Sequence, residues 1–158
     1  MSIRDARRVA SRANKTLILD GQVSVESIRR AIEALRGITI TVQEMPVDQH
    51  DVPALTADCG NLKVVYYAPN LSTLHRQHNI LHEFSHLLLN HEETATGITI
   101  KGFSGTFPTQ PRKIMGRGSF DDDAEQSAEF LAYLLSARIG GKGRDERGGS
   151  GGLEEAFG

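Results

Sequence analysis

The stretch NILHEFSHLLLNHEE, residues 79–93, constrains this chain more than any other part of its sequence. It holds two histidines, His82 and His86, four residues apart, with Glu83 directly after the first. Each residue of an α-helix turns by about 100°, so a helix here projects both imidazoles to one side with the carboxylate beside them. Two neutral histidines so placed can hold Zn²⁺ while the glutamate reaches a metal-bound water. We therefore predict a metal-binding helix with His82 and His86 as ligands and Glu83 as the catalytic base.

The alternative is a packing helix that is merely rich in histidine, because five of the six histidines lie between residues 75 and 91. The flanking apolar residues favour the metal site, since they recur with helical spacing and would seat the helix in a core with the imidazoles at its edge. This apolar stripe consists of Leu81, Phe84 and Leu88.

Further histidines and two tyrosines lie near the motif in the sequence. His75 and His78 share the face of the pair, and we expect them to form hydrogen bonds or line a cleft rather than bind the metal. His91, Tyr66 and Tyr67 are candidate donors to the oxyanion of a transition state. The competing interpretation is a favourable interaction of His91 with the helix dipole and simple packing of both tyrosines in a hairpin.

A catalytic zinc site needs a third protein ligand and an open fourth position. A second helix-forming stretch, DDDAEQSAEFLAYLL at residues 121–135, offers Glu125 and Glu129. Glu125 falls closer to the apolar face of this helix, where a carboxylate is costly to bury unless a metal or a cation binds it. We therefore predict Glu125 as the third ligand and keep Glu129 as the alternative.

The patterning of the whole chain predicts an α+β fold with a short, mostly antiparallel sheet packed on the motif helix and on the second ligand-bearing helix. The Gly-rich sequence from residue 140 cannot bury enough apolar surface to order itself. We expect one domain over residues 1–139, a flexible tail over 140–158, and a long loop over 94–120 with one short strand at GITIKGF. The other predicted elements are helices over 3–14, 25–36 (between a Ser24 cap and a Gly37 stop), 71–90 and 122–139, and strands over 38–45, 54–59 and 62–68.

Composition excludes several classes of protein. A length of 158 residues fits one domain, and a net charge of −2 gives no electrostatic reason to expect binding to nucleic acid or to a membrane surface. The single cysteine, Cys59, cannot form an internal disulfide and favours a reducing compartment. Because the N-terminus also lacks the apolar core of a signal peptide, we expect a cytoplasmic protein.

Two segments of the chain carry a family resemblance. The sequence VVYYAPNLSTLHRQHNILHEFSHLLL, followed by EQSAEFLAYLL, resembles the ImmA/IrrE family of zinc metallopeptidases over about residues 23–136. The resemblance implies a small zincin-like domain that binds one Zn²⁺ per chain through His82, His86 and Glu125, with Glu83 as the base. This sequence departs from the family pattern at Glu129, where asparagine is usual.

The resemblance also implies a function. Members of the family typically cleave a transcriptional repressor encoded nearby, often of the helix-turn-helix type, in stress or mobile-element control. We expect such a protein partner, with the strand Leu62 to Ala68 as a sheet edge that aligns an extended substrate. Two alternatives stay open: a non-catalytic, zinc-stabilised module of toxin–antitoxin or repressor-binding type, and a hydrolase that acts on a non-peptide bond.

Overall fold

The computed structural model describes residues 2–45, 53–91, 113–115 and 120–146, which form the predicted α+β fold. Within these ranges the chain forms four helices and one four-stranded sheet. The predicted loop and strand at 94–112, and residues 147–158 of the predicted tail, lie outside the described residues. The helices are α1 (Ile3–Thr16), α2 (Val25–Arg36), α3 (Thr73–Leu89) and α4 (Asp122–Glu146), and the strands are β1 (Thr39–Glu44), β2 (Ala54–Cys59), β3 (Leu62–Tyr67) and β4 (Lys113–Met115).

The ends of the helices follow from local capping chemistry. The hydroxyl of Ser24 accepts the backbone N–H of Ser27 and starts α2, and Gly37 ends it in the left-handed conformation at φ 67°. Ser72 caps α3 in the same way through the backbone N–H of His75. Asn90, at φ 56° and ψ 44°, ends α3 in the left-handed region, which asparagine tolerates better than most residues. The motif helix therefore begins and ends close to the predicted positions.

The sheet has the order β1-β3-β2-β4 and is mostly antiparallel, as predicted. β3 pairs in parallel with β1 and antiparallel with β2, while β4 pairs antiparallel with β2. The prediction that Leu62 to Ala68 forms an edge strand is wrong, because β3 lies between two partners. The edges within the described part of the sheet are β1 and β4, and β4 lies in a segment for which the sequence predicts a loop.

The helices pack on one face of the sheet around a core that α3 and α4 share. Alternation along β3 points Val65 and Tyr67 into this core, whereas Val64 and Tyr66 belong to a second cluster on the opposite face. Burying a leucine or phenylalanine side chain stabilises a fold by about 1.5–3 kcal/mol. The contact between α3 and α4 therefore contributes strongly to the free energy of folding. Its fully buried side chains are Leu81, Phe84, Leu88, Leu131, Ala132 and Leu135.

Helix α4 is also held from its other side by α1. The Arg138 guanidinium donates to the backbone carbonyl oxygens of Asn14 and Leu17 at the C-terminal end of α1, at 2.8 and 3.0 Å. α4 continues to Glu146, beyond the end predicted near Ile139. Among the described helices, none combines the length and apolar character needed to cross a bilayer.

The core position of α3 gives a test of the fold. Replacing fully buried Leu81 by alanine leaves a cavity under the motif helix, and we expect Leu81→Ala to lower the free energy of unfolding by about 2–5 kcal/mol. Leu74→Ala is the matched control, since Leu74 is on the same helix but 55% exposed, and we expect a change within about 0.5 kcal/mol. Urea denaturation of both zinc-free variants measures the difference. Equal losses would contradict this placement of the core.

Candidate metal centre

Three side chains from two helices converge beside the core. The Nε2 atoms of His82 and His86 lie 3.6 and 2.6 Å from the same carboxylate oxygen, Oε1 of Glu125. The ligand atoms of the three residues all lie within 4.8 Å of one another. The structure thus brings together the two histidines of the motif on α3 and the carboxylate predicted as their third partner, which lies on α4.

The packing of α3 against α4 determines this convergence. His82 and His86 are four residues apart on α3, so their imidazoles lie on one face of the helix and meet edge to face, with ring centroids 4.9 Å apart. Asp121 caps α4 by accepting the backbone N–H of Ala124, which places Glu125 in the first turn of that helix. Each residue is therefore set by a regular helix rather than by a loop, which favours a precise site.

The donor set fits zinc. Two imidazole nitrogens and one carboxylate oxygen match the ligands of catalytic zinc sites, which bind at about 2.0–2.2 Å and leave a fourth position open. Tetrahedral ligand atoms at that radius lie about 3.4 Å apart. The 3.6 Å separation of His82 Nε2 and Glu125 Oε1 already has this value, and the 2.6 Å separation at His86 needs a shift of less than 1 Å.

The carboxylate of Glu83 lies next to the two histidines but outside the three-residue group. Glu83 is only 6% exposed, and the hydroxyl of Thr56 on β2 donates to its Oε1 at 2.7 Å. Burial raises the pKa of Glu83, while the neighbouring histidines and the Thr56 hydroxyl act in the opposite direction. A carboxylate with a raised pKa, fixed by one hydrogen bond beside a metal site, is suited to accept a proton.

Glu129, the alternative ligand, lies on the outer side of His82. Its Oε1 is 2.9 Å from Nδ1 of His82 and 3.0 Å from Nε2 of His78. Glu129 thus bonds the nitrogen of His82 that faces away from Glu125. His78 also contacts the Tyr133 ring at 4.9 Å, so it lines the edge of the site as a hydrogen-bonding residue, in agreement with the expectation for it.

His86 has a different neighbour at the corresponding nitrogen. Its Nδ1 lies 2.9 Å from Nδ1 of His91, and the Phe120 ring stacks on its face at 3.8 Å between centroids. His91 is therefore on the side of His86 that faces away from Glu125. Burial and, to a smaller extent, the adjacent His86 lower the pKa of His91 to about 4, so His91 is neutral at physiological pH.

The charges of the candidate ligands are strongly coupled. Burial lowers the pKa of His82, but the surrounding carboxylates, led by Glu125, more than offset it and raise the pKa to about 9. Burial alone would raise the pKa of Glu125, yet its hydrogen bonds with His82 and His86 lower it to about 2. The zinc-free site therefore holds an ionised carboxylate and a protonated His82 at neutral pH.

The structure keeps the two tyrosines and His75 apart from this group. Tyr66 is buried on the opposite face of the sheet, and Tyr67 lies under the Arg76 guanidinium, 5.6 Å from its ring centroid. His75 is exposed on the first turn of α3. The assignment of an oxyanion donor among Tyr66, Tyr67 and His91 stays a prediction, and the geometry gives it little support.

Two residues of the site were not anticipated from the sequence. Thr56 is a single polar residue on a strand, and nothing in its local pattern indicates a contact with a helix 27 residues away. Phe120 precedes α4 in a region without periodicity. Both contacts depend on tertiary packing, so only the alternation of β2, which places Thr56 on the helix-facing side, could have suggested one of them.

Comparison with known protein families gives evidence on this site that does not depend on its geometry. The family model described as the IrrE N-terminal-like domain matches residues 36–115, just over half of the chain. Comparison with curated proteins and with solved structures gives no significant match. The matched segment contains the whole motif of His82, Glu83 and His86, while Glu125 lies beyond it and joins the site through the packing of α4. The chain therefore belongs to the ImmA/IrrE family of metallopeptidases.

Proposed function

We propose that this protein is a zinc-dependent endopeptidase that cleaves a regulatory protein. The observation that carries the proposal is the position of Glu83. Its buried carboxylate lies beside the group of His82, His86 and Glu125 and is held by the hydroxyl of Thr56. A site that only stabilised the fold would need no such base.

Three residues of the site would bind the metal, and a fourth, Glu83, would transfer the proton. When bound by His82, His86 and Glu125, zinc supplies a Lewis acid that polarises a carbonyl and lowers the pKa of a bound water to about 7. Glu83 accepts the proton of the water that attacks the peptide carbonyl, and it returns this proton to the leaving amine. Because Thr56 holds Oε1 of Glu83, we assign the proton transfer to Oε2.

A cleft gives a substrate access to these residues. It has a volume of about 390 Å³ and is lined by the first residues of β2 and by the facing sides of α3 and α4, including Pro53, Ala54, Asn79, Glu83 and Gln126. We place an extended peptide substrate along this end of β2 by strand addition, because Pro53 and Ala54 line the cleft beside Glu83. The sequence pattern predicted this role for β3.

The substrate we propose is a transcriptional repressor of the helix-turn-helix type encoded near this protein, in stress or mobile-element control. Family membership supports this choice, because regulation through cleavage of a partner is typical of the family. The net charge of −2 is consistent with a protein partner, since it gives no overall electrostatic attraction to nucleic acid.

A non-catalytic zinc module is the competing function. Structural zinc sites are closed by four protein ligands, whereas catalytic sites keep one position for water. Among the described histidine, cysteine, aspartate and glutamate side chains, only His82, His86 and Glu125 form such a group. A group of three such side chains matches the ligand number of a catalytic zinc site and therefore favours the enzyme.

The test of the proposed function uses the zinc-loaded protein and the purified products of the neighbouring regulator genes. We expect discrete cleavage of one regulator, abolished by a chelator. Glu83→Gln should keep zinc and lower the cleavage rate by at least about 100-fold, since it removes the proton acceptor with little change of shape. Glu44→Gln, at an exposed position of β1, is the matched control and should cleave normally. Cleavage retained by Glu83→Gln would refute the role of Glu83, and intact regulators would refute the proposed substrate.

The assignment of the third ligand is tested by zinc affinity. Glu125→Gln removes a ligand, whereas Glu129→Gln changes only the residue that hydrogen-bonds His82. We expect Glu129→Gln to weaken zinc binding by about 10- to 100-fold and Glu125→Gln to weaken it further. Competition with a chromogenic chelator measures both constants. The reverse order would make Glu129 the ligand.

Zinc binding should also release a proton. The pKa of His82 in the zinc-free protein is raised to about 9, and zinc binds only the neutral imidazole. Glu125, with its pKa lowered to about 2, is already ionised and contributes no proton. We therefore expect the apparent affinity to rise about tenfold per pH unit between pH 7 and pH 9 and then to level off. Calorimetry in two buffers of different ionisation enthalpy counts the protons, and an affinity independent of pH in this range would contradict the charge of His82.

A further inference from the structure

The two histidines of the motif differ in the residue that contacts Nδ1, the ring nitrogen that faces away from Glu125. Nδ1 of His82 faces a carboxylate, Glu129, whereas Nδ1 of His86 faces a second imidazole, His91. A neutral imidazole has one N–H, and a ring that offers Nε2 to a metal must carry its proton on Nδ1. The partner of Nδ1 therefore decides whether the correct tautomer is present.

The end of α3 positions His91 for this contact. Asn90 adopts the left-handed conformation, and the backbone N–H of His91 turns back to donate to the carbonyl of His86 at 3.1 Å. This is the hydrogen-bond pattern of a helix terminated by a left-handed residue. It returns the chain over the last turn, so that the His91 ring meets the His86 ring, with centroids 5.1 Å apart. Arg36 fixes the same end of the helix from α2, where its Nε donates to the carbonyl of Leu88 at 2.8 Å.

The surroundings restrict both rings. His86 is only 5% exposed, and the stacked Phe120 ring, tilted by 10° from the His86 plane, covers one of its faces. The centroid of the Phe120 ring also lies 6.2 Å from the centroid of the His91 ring. A water molecule is therefore a poor substitute for His91 at Nδ1 of His86.

We propose that His91 is a positioning residue for His86: its unprotonated Nδ1 accepts a hydrogen bond from Nδ1–H of His86 and so fixes the tautomer that offers Nε2 to the metal. This inference rests on the zinc site of the proposed function but not on its substrate. It gives His91 a role different from that of an oxyanion donor, because His91 contacts the side of His86 that faces away from Glu125.

The test compares variants by zinc affinity, with zinc and a chromogenic chelator as the only reagents. His91→Leu removes the acceptor and should weaken binding by about 10- to 100-fold. His91→Asn places an amide oxygen near the position of Nδ1 and should restore most of the lost affinity. His75→Leu is the matched control, at an exposed histidine of the same helix, and should bind as the unmodified protein does.

A spectroscopic measurement separates positioning from a merely structural effect. In the zinc-loaded protein labelled with ¹⁵N-histidine, the His86 Nδ1–H proton should give a signal protected from exchange with water. The signal should persist in His91→Asn and be lost in His91→Leu; its absence from the unmodified protein overturns the proposal even if His91→Leu does not fold. Equal affinity of His91→Leu and His75→Leu, or an Asn variant as weak as the Leu variant, also overturns it. Failure of the unmodified protein to bind zinc would instead refute the proposed function.

Discussion

The contact between α3 and α4 is the interaction on which the candidate site depends. Leucine, phenylalanine and alanine side chains from both helices fill one buried layer, and the polar residues at its margin are brought together as a consequence. His82 and His86 gain a carboxylate partner only because α4 packs against the helix that carries them. The apolar contact thus supplies the free energy that offsets the cost of gathering charged and polar groups in a partly buried place.

The polar residues of the site form an inner group, His82, His86 and Glu125, and an outer set of residues that contact the imidazoles of this group. Three groups turn their ligand atoms toward a common point, and each remaining nitrogen of the two imidazoles has its own neighbour. One neighbour is the side chain of a glutamate and the other is an imidazole, so the two histidines have chemically different surroundings although they belong to one motif. The Glu83 carboxylate accepts its hydrogen bond from Thr56 on strand β2 rather than from a residue of a helix.

Local periodicity was sufficient to predict most of the fold and the convergence of His82, His86 and Glu125. The helical spacing of α3 located the histidine pair, and the position of Glu125 near the apolar face of α4 distinguished it from Glu129. The predictions that were wrong or incomplete concern contacts between segments that are distant in the sequence. The central place of β3 requires both a parallel partner and an antiparallel one, and β4 has only three residues, too few for a recognisable pattern. The contact of His91 with His86 depends on one left-handed residue, and side-chain periodicity gives no signal for it.

The division of the candidate ligands between two helices has a consequence for the chain between them. The apolar contact between α3 and α4 fixes the geometry of the site, and the stretch of chain that joins Leu89 to Asp122 supplies none of the three ligand atoms. The entropic cost of closing a loop grows only slowly with its length, by about 0.6 kcal/mol for each doubling. The connection can therefore gain or lose residues at little entropic cost, while the contact between α3 and α4 keeps His82, His86 and Glu125 together.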